Sequence, residues 1–468
     1  MTSSSKIGET GSFLLVCRRT VAHWRAIILV LILAVAAFLV AHDDFFDLFT
    51  LALFLIFIAS QLFWIGRILD LGERFIPGKP LRAWLAIVAG LVYLFVFAYS
   101  FPGIESSAHV FRAADYRLHR LVIEAAYWWW FVGSQVAFLL VIAFGMADRA
   151  ARATAWVYGK AREAMRDHGA ALMQGAMALD PPSPARRHFL EQAAVLISAT
   201  PFVAAGYGLL YGRLDVEVVR QRIRLARLPK AFEGFRIAQL SDIHIGPFTT
   251  ADYIRHCVTI TDGLKPDLVV LTGDYISWDP EAEGEAVHAL AGLRAPHGVF
   301  GCLGNHEQEG EIEESITPLF AAQGIRILRQ ERATIRLSGE TLNLIGMDEP
   351  RGRSRAEWKQ DVFRRLEQLK GLVMPGTVNI LLLHYSAVFH YVSDLNIDLT
   401  LAGHTHGGQL SLGHPGLSLG RLVTPYDRGW YEKDGRQLYV NRGIGTTGFP
   451  IRLGARPEIT VFELTREA

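Results

Sequence analysis

Three cysteines in 468 residues, Cys17, Cys257 and Cys302, are too few and too widely spaced for a disulfide framework. No Cys-x-x-Cys pair occurs, which excludes a thiolate metal site of the zinc-finger kind. Few cysteines suit either side of a membrane, so the redox compartment stays open. Charge of one sign is also lacking. The 47 Lys and Arg against 46 Asp and Glu leave a formal charge of +1, without the broad basic field of a nucleic-acid binder, so no nucleic-acid partner is expected. Internal repeats and low-complexity tracts are missing too. What is present is apolar: hydrophobic residues make up 51% of the chain and crowd into its first half. The length suggests two or three domains.

Five apolar runs stand near the length that crosses ~30 Å of hydrocarbon: about 26–41, 48–66, 83–101, 122–147 and 189–211. The first is short, and a re-entrant hairpin with the second, turning at "HDDFFD", is a rival reading. A signal peptide is the other alternative for this run, weakened by the lack of a small-residue cleavage site and by the runs that follow. "YWWWF" (Tyr127 to Phe131) reads as an interfacial aromatic belt. Arg18, Arg19 and Arg25 precede the first run, and Arg67, Arg74, Lys79 and Arg82 lie between the second and third. Residues 148–188 form a basic loop ending in the Pro-rich linker "MALDPPSPARR". Arg112, Arg117 and Arg120 oppose the pattern, but the balance puts the N-terminus in the cytoplasm. Five spans then place everything after Tyr211 outside. "ARRHFLEQAAVLISATPF" also has the form of an internal twin-arginine signal, with the same consequence. A multi-pass cell-membrane protein with an extracytoplasmic domain at 213–468 is expected.

From residue 213 on, short apolar runs each end in polar residues. "FRIAQL" leads into Asp242 and His244, "DLVVLT" into Gly273 and Asp274, and "GVFGCL" into Asn305, His306 and Glu307. "VNILLL" leads into His384 and "DLTLA" into Gly403, His404 and His406. Helical stretches such as "TADYIRHCVTITDGL" and "EWKQDVFRRLEQLKGL" lie between them. Apolar strands alternating with helices predict an α/β domain whose site lies beyond the carboxyl ends of the strands. Taken singly, each cluster also fits an ordinary loop. Setting His306 aside, together they put four His, two Asp and one Asn at one end of one inferred sheet. Such a mixed carboxylate, imidazole and amide set suits Mn, Fe or Zn.

The order D-x-H, G-D, G-N-H-E, H, G-H-x-H resembles the calcineurin-like metallophosphoesterase superfamily over residues 213–468. The tail "YVNRGIGTTGFPIRLGARPEITVFEL" looks like its membrane-attached bacterial phosphodiesterase branch. "HYSAVF" lacks the proline that many relatives carry beside the histidine. The resemblance implies an α/β/β/α sandwich holding two divalent ions (Mn, Zn, Fe or a mixture). Asp274 would bridge them, Asp242, His244 and His406 would complete one site, and Asn305, His384 and His404 the other. A water shared by such ions loses a proton near neutral pH and attacks phosphorus in line. His306 would be the acid near the leaving oxygen, where the residues alone would favour a hydrogen-bonded loop histidine. Glu307 would stand behind the ligands. Asp348 orients a histidine or caps a turn.

Substrate recognition is less legible. Arg351, Arg353 and Arg355 could hold a second phosphate or form a solvated basic loop, and Arg452 is a candidate for the site rim. The short link between the fifth run and "FRIAQL" favours a lipid-linked phosphodiester or pyrophosphate reached at the bilayer. A nucleotide, phosphorylated sugar or phosphoprotein stays open, as do a phosphomonoesterase, a non-catalytic metal-binding scaffold and a sensor effector. The oligomeric state is not legible.

Overall fold

The computed structural model describes residues 55–68, some helical positions between 81 and 91, 115–167, and 184–466 apart from 278, 353, 412–417 and 423. The chain divides into two compact units, residues 1–119 with 126–206, and 120–125 with 207–468.

The first unit is helical: α1 (Leu55–Ile68), α2 (Asp115–Asp167) and α3 (Pro184–Tyr207). Ser60 and Gln61 of α1 reach α2, where Ser60 Oγ donates to the Ser134 carbonyl (3.2 Å) and Gln61 Nε2 to Ser134 Oγ (3.0 Å). Trp130 Nε1 donates to Gln61 Oε1 at 3.0 Å. Buried polar groups that satisfy one another this way join apolar helices. Among the described residues two helical stretches are long and apolar enough to cross a membrane, Val122–Ala161 and Val195–Gly212. They overlap the fourth and fifth expected spans. The second is described only as the shorter α1, while the first and most of the third lie outside the described residues.

One difference has a plain cause. The helix expected to end at Ala147 runs on to Asp167, through the first part of the segment read as a loop. "ADRAARATAWVYGKAREAMRD" has no proline and is rich in Ala and Arg, both good helix formers.

In the second unit the strands are β1 (Glu217–Arg224), β2 (Arg236–Leu240), β3 (Leu268–Thr272), β4 (Val299–Cys302), β5 (Ile325–Ile327) and β6 (Glu331–Leu337). They continue with β7 (Glu340–Gly346), β8 (Val378–Tyr385), β9 (Leu399–Gly403), β10 (Gly429–Lys433), β11 (Arg436–Val440) and β12 (Glu458–Thr465). Its helices are α4 (Ala251–Gly263), α5 (Glu283–Leu290), α6 (Asn305–Glu309), α7 (Glu313–Ala322) and α8 (Arg355–Lys370).

Two six-stranded sheets form, in the orders β1-β12-β2-β3-β4-β5 and β10-β11-β9-β8-β7-β6. Ile237, Leu268, Val270, Leu344, Ile380 and Leu401 fill the space between them. On the outside of the first sheet, Ile254, Leu290, Ile316 and Phe320 of α4, α5 and α7 close a second core. Val362, Leu366 and Leu369 of α8 close a third over Leu381 and Leu383. The result is a four-layer α/β/β/α arrangement. Strands β2, β3 and β4 are parallel, as are β8 and β9, so their carboxyl ends gather at one edge. Covered on both faces, β3 is buried at every position, which is why it reads as an unbroken apolar run.

Candidate metal centre

The five polar clusters meet at that edge. His244 Nε2 stands 3.0 Å from His406 Nε2 and 3.4 Å from Asp274 Oδ2. His406 Nε2 is 3.3 Å from Asp242 Oδ1. On the other side of Asp274, His384 Nε2 lies 3.0 Å from its Oδ2, and His404 Nδ1 lies 3.2 Å from His384 Nε2 and 2.9 Å from Asn305 Oδ1. Donors sharing one ion at about 2.1 Å stand about 3.0–3.4 Å apart. Asp242–His244–His406 and Asp274–His384–His404 are each tight enough to hold an ion, and so are His244, Asp274 and His306.

The surroundings of the donors fit a cation independently of those distances. His244 Nδ1 meets the Ile276 carbonyl at 3.2 Å and His384 Nδ1 that of Thr272 at 2.7 Å, so each ring spends its N–H outward and aims Nε2 inward. Asp242 Oδ2 is buried and has no hydrogen-bond partner among the described residues. Such an orphaned carboxylate oxygen is costly without a positive partner. Burial also holds the His244 and His406 imidazoles well below their ordinary range, and it lowers His404 to about 3, helped by neighbouring His384. Burial raises Asp242 to about 6. Burial opposes charge on Asp274 as well, but His384, His306 and His244 around it prevail and keep its carboxyl well below the usual range.

Backbone strain marks the same places. Asp242, His244, Asp274, His404 and His406 all have φ between 48° and 76°. Five of seven proposed ligands thus sit in the left-handed region, which costs energy and persists only where the surroundings enforce it. Gly403 precedes His404 because a Cβ there would collide with Ser241 Oγ and Asp242 Oδ2. The strand ends approach too closely for any side chain.

Glu307 acts as a clamp. Its buried carboxylate accepts backbone N–H groups from Asp274 (3.0 Å), Tyr275 (2.6 Å), Ile276 (3.3 Å) and Gly304 (2.8 Å), tying the loop after β3 to the loop after β4. Glu307→Ala would strand these donors. We expect a loss of about 3 kcal/mol or more, a melting temperature about 6–12 °C lower in metal-free protein. Glu307→Gln should recover part of it, and a shift under about 2 °C for Ala would contradict the clamp.

His306 donates Nδ1–H to the Ser277 carbonyl, leaving Nε2 3.9 Å from Asp274 Oδ2 and 3.4 Å from Thr447 Oγ1. Arg452, expected at the rim, is instead fully buried. Its guanidinium donates to the carbonyls of Arg442, Gly445 and Ala455 and meets His406 Nδ1 at 3.0 Å. It therefore backs a ligand rather than reaching a substrate. Arg351 pairs with Glu313 at the surface, outside the three donor groups, and Arg353 lies outside the described residues. Asp348 pairs with Arg329 at 3.2 Å and, among the described residues, hydrogen-bonds no histidine. Sequence reasoning missed Thr447 and Tyr385, whose ring lies 4.4 Å from that of His404.

Gly208–Gly212, the part of the apolar stretch that belongs to this second unit, packs close by. Arg452 N donates to the Gly208 carbonyl (3.3 Å), and Arg213 Nη1 to that of Phe248, four residues after His244. A Cβ on Gly212 would collide with the Arg452 carbonyl, so glycine permits this approach.

Residues 235–408 match the family model of the calcineurin-like phosphoesterases. The chain is 30% identical over 292 residues to the uncharacterized metallophosphoesterase YkuE of Bacillus subtilis, covering 60% of this chain and 97% of that protein. It is 34% identical over 265 residues to an uncharacterized metallophosphoesterase of Aquifex aeolicus, covering 56% and 97%. The chain belongs to the calcineurin-like metallophosphoesterases. A Danio rerio relative, named a transmembrane protein with metallophosphoesterase domain, is 30% identical over 273 residues, 57% of this chain and 61% of that one. As a metallophosphoesterase the chain is by family a phosphoric ester hydrolase that binds divalent metal, and its His/Asp clusters fit such a site.

Proposed function

We propose that this metallophosphoesterase is membrane-anchored and uses two divalent ions to hydrolyse a phosphodiester or pyrophosphate bond of a lipid-linked substrate. The observation that carries the reading is the convergence of seven donor side chains, with Asp274 Oδ2 standing between His244 on one side and His384 on the other. Asp242, His244 and His406 would hold one ion with Asp274, and Asn305, His384 and His404 the other. Mn, Zn or Fe suits this donor set. When bound, such a pair supplies Lewis acidity, lowering the pKa of a water nucleophile and drawing charge from the phosphoryl oxygens.

The chain's own residues do the rest. The carbonyls of Ile276 and Thr272 fix the rings of His244 and His384. Ser277 fixes that of His306, whose Nε2 delivers a proton to the leaving oxygen. Burial of Asp242, His244, Asp274 and His406 keeps bulk water from all but the half-exposed His404 and Asn305 side.

The lipid linkage is supported by the sequence continuity of the apolar stretch with Gly208–Gly212, which in the catalytic unit meets Arg452 behind His406. The name of the Danio rerio relative points the same way. The Lys and Arg distribution supports an extracytoplasmic catalytic domain. The test uses full-length, Mn-loaded protein in phosphatidylcholine vesicles. A diacylglycerol p-nitrophenyl phosphodiester in the bilayer should be cleaved with kcat/KM at least about tenfold above soluble bis-p-nitrophenyl phosphate. Equal values would remove the lipid linkage, and no cleavage of either would remove the enzyme.

A further inference from the structure

The two flanks of the metal centre are unlike. The His406 side is backed by Arg452 and, behind it, by Gly208. The His404 side is lined with rings. Tyr385 lies 4.4 Å from the His404 ring, and Trp358 of α8 stands 5.6 Å from Tyr385. Tyr391 follows at 6.3 Å from Trp358, and Phe363, 50% exposed, at 5.5 Å from Tyr391. This ring series runs from a proposed ligand to the surface on the side where the centre opens. His404, Asn305, Tyr385 and Trp358 are all half-exposed, whereas Asp242, His244, Asp274 and His406 are buried. Among the described residues, neither the Tyr385 hydroxyl nor the Trp358 indole N–H meets a hydrogen-bond acceptor.

We propose that Tyr385 and Trp358 form a stacking platform for a flat aromatic ring, an aryl group or nucleobase, attached to the substrate's phosphate on the His404 side. The proposal rests on the phosphoesterase reading and deepens it. A phosphodiester carries two substituents, and the centre offers two chemically different flanks to receive them. Aromatic faces hold flat rings in offset or edge-on contact, and stacking one base on such a face contributes about 1–3 kcal/mol. The plainer alternative is that Trp358 and Tyr391 only seal the core under α8, against which both pack.

The experiment separates the two. Full-length, Mn-loaded protein in detergent is titrated calorimetrically with phenylphosphonate and with methylphosphonate, which share the anionic head, resist hydrolysis and differ by the ring. The wild type should bind phenylphosphonate about tenfold more tightly. Trp358→Ala should reduce the preference to about twofold or less, and Trp358→Phe should keep most of it. Methylphosphonate binding reports that each variant retains an intact centre, which a merely structural loss would not spare. A preference absent from the wild type, or surviving both Trp358→Ala and Tyr385→Leu, overturns the platform. If that preparation still cleaves bis-p-nitrophenyl phosphate, the phosphoesterase reading stands. If neither phosphonate binds and nothing is cleaved, both fail.

Discussion

Replacing Asp274 by asparagine should reduce the bound metal to one ion or fewer per chain and lower phosphodiester hydrolysis on the order of 10³-fold. The carboxylate stands between the two donor groups, with Oδ2 at 3.0 Å from His384 Nε2 and 3.4 Å from His244 Nε2. Its Oδ1 accepts the His306 backbone N–H at 3.0 Å. Asparagine can keep that last bond with its carbonyl oxygen, but its NH₂ then faces the two histidine nitrogens. A donor would replace the anion proposed to be shared, and two neighbouring cations would lose the charge that screens them from each other. The backbone is already held at φ 58° and Glu307 anchors its N–H, so the loop should survive the change. Metal analysis and circular dichroism on one sample check this. Two ions retained with more than about a tenth of wild-type activity would show that Asp274 does not bridge.

His306→Gln should do something different. Its Nδ1–H is committed to Ser277, and Nε2 faces Asp274 and Thr447 without belonging to either assigned ligand set. A proton donor contributes about 10²–10⁴-fold, so kcat should fall within that range while two ions stay bound. The loss should be smaller for p-nitrophenyl esters, whose leaving oxygen needs no proton, than for alkyl esters. Steady-state rates on both ester classes, with metal analysis, decide the case. His306 also forms a tight group with His244 and Asp274. Loss of metal in step with activity would make it a ligand instead of an acid.

The five strand ends were legible because buried parallel strands read as apolar runs and each stops at a metal-ligand residue type. The helices α4 and α8 were legible from the same alternation. What stayed hidden depends on burial and on contacts distant in sequence. Arg452 looks like any loop arginine until its guanidinium is seen among carbonyls behind His406. Glu307 announces itself as part of G-N-H-E, but its grip on Asp274, Tyr275 and Ile276 is a property of two folded loops. Tyr385 and Trp358, 27 positions apart, meet only when α8 packs on the second sheet. The extension of α2 to Asp167 was missed because charged residues were read as a membrane boundary and so as a helix end, which they are not.

The central claim, two ions on one shared carboxylate doing hydrolysis, is tested most directly by a manganese titration. Full-length protein stripped by chelation receives stepwise Mn²⁺, and bound metal and bis-p-nitrophenyl phosphate cleavage are read at every step. The account predicts saturation at two ions per chain, with most of the activity arriving with the second. Saturation below one ion, or two ions bound without cleavage of this or any p-nitrophenyl ester, would contradict it.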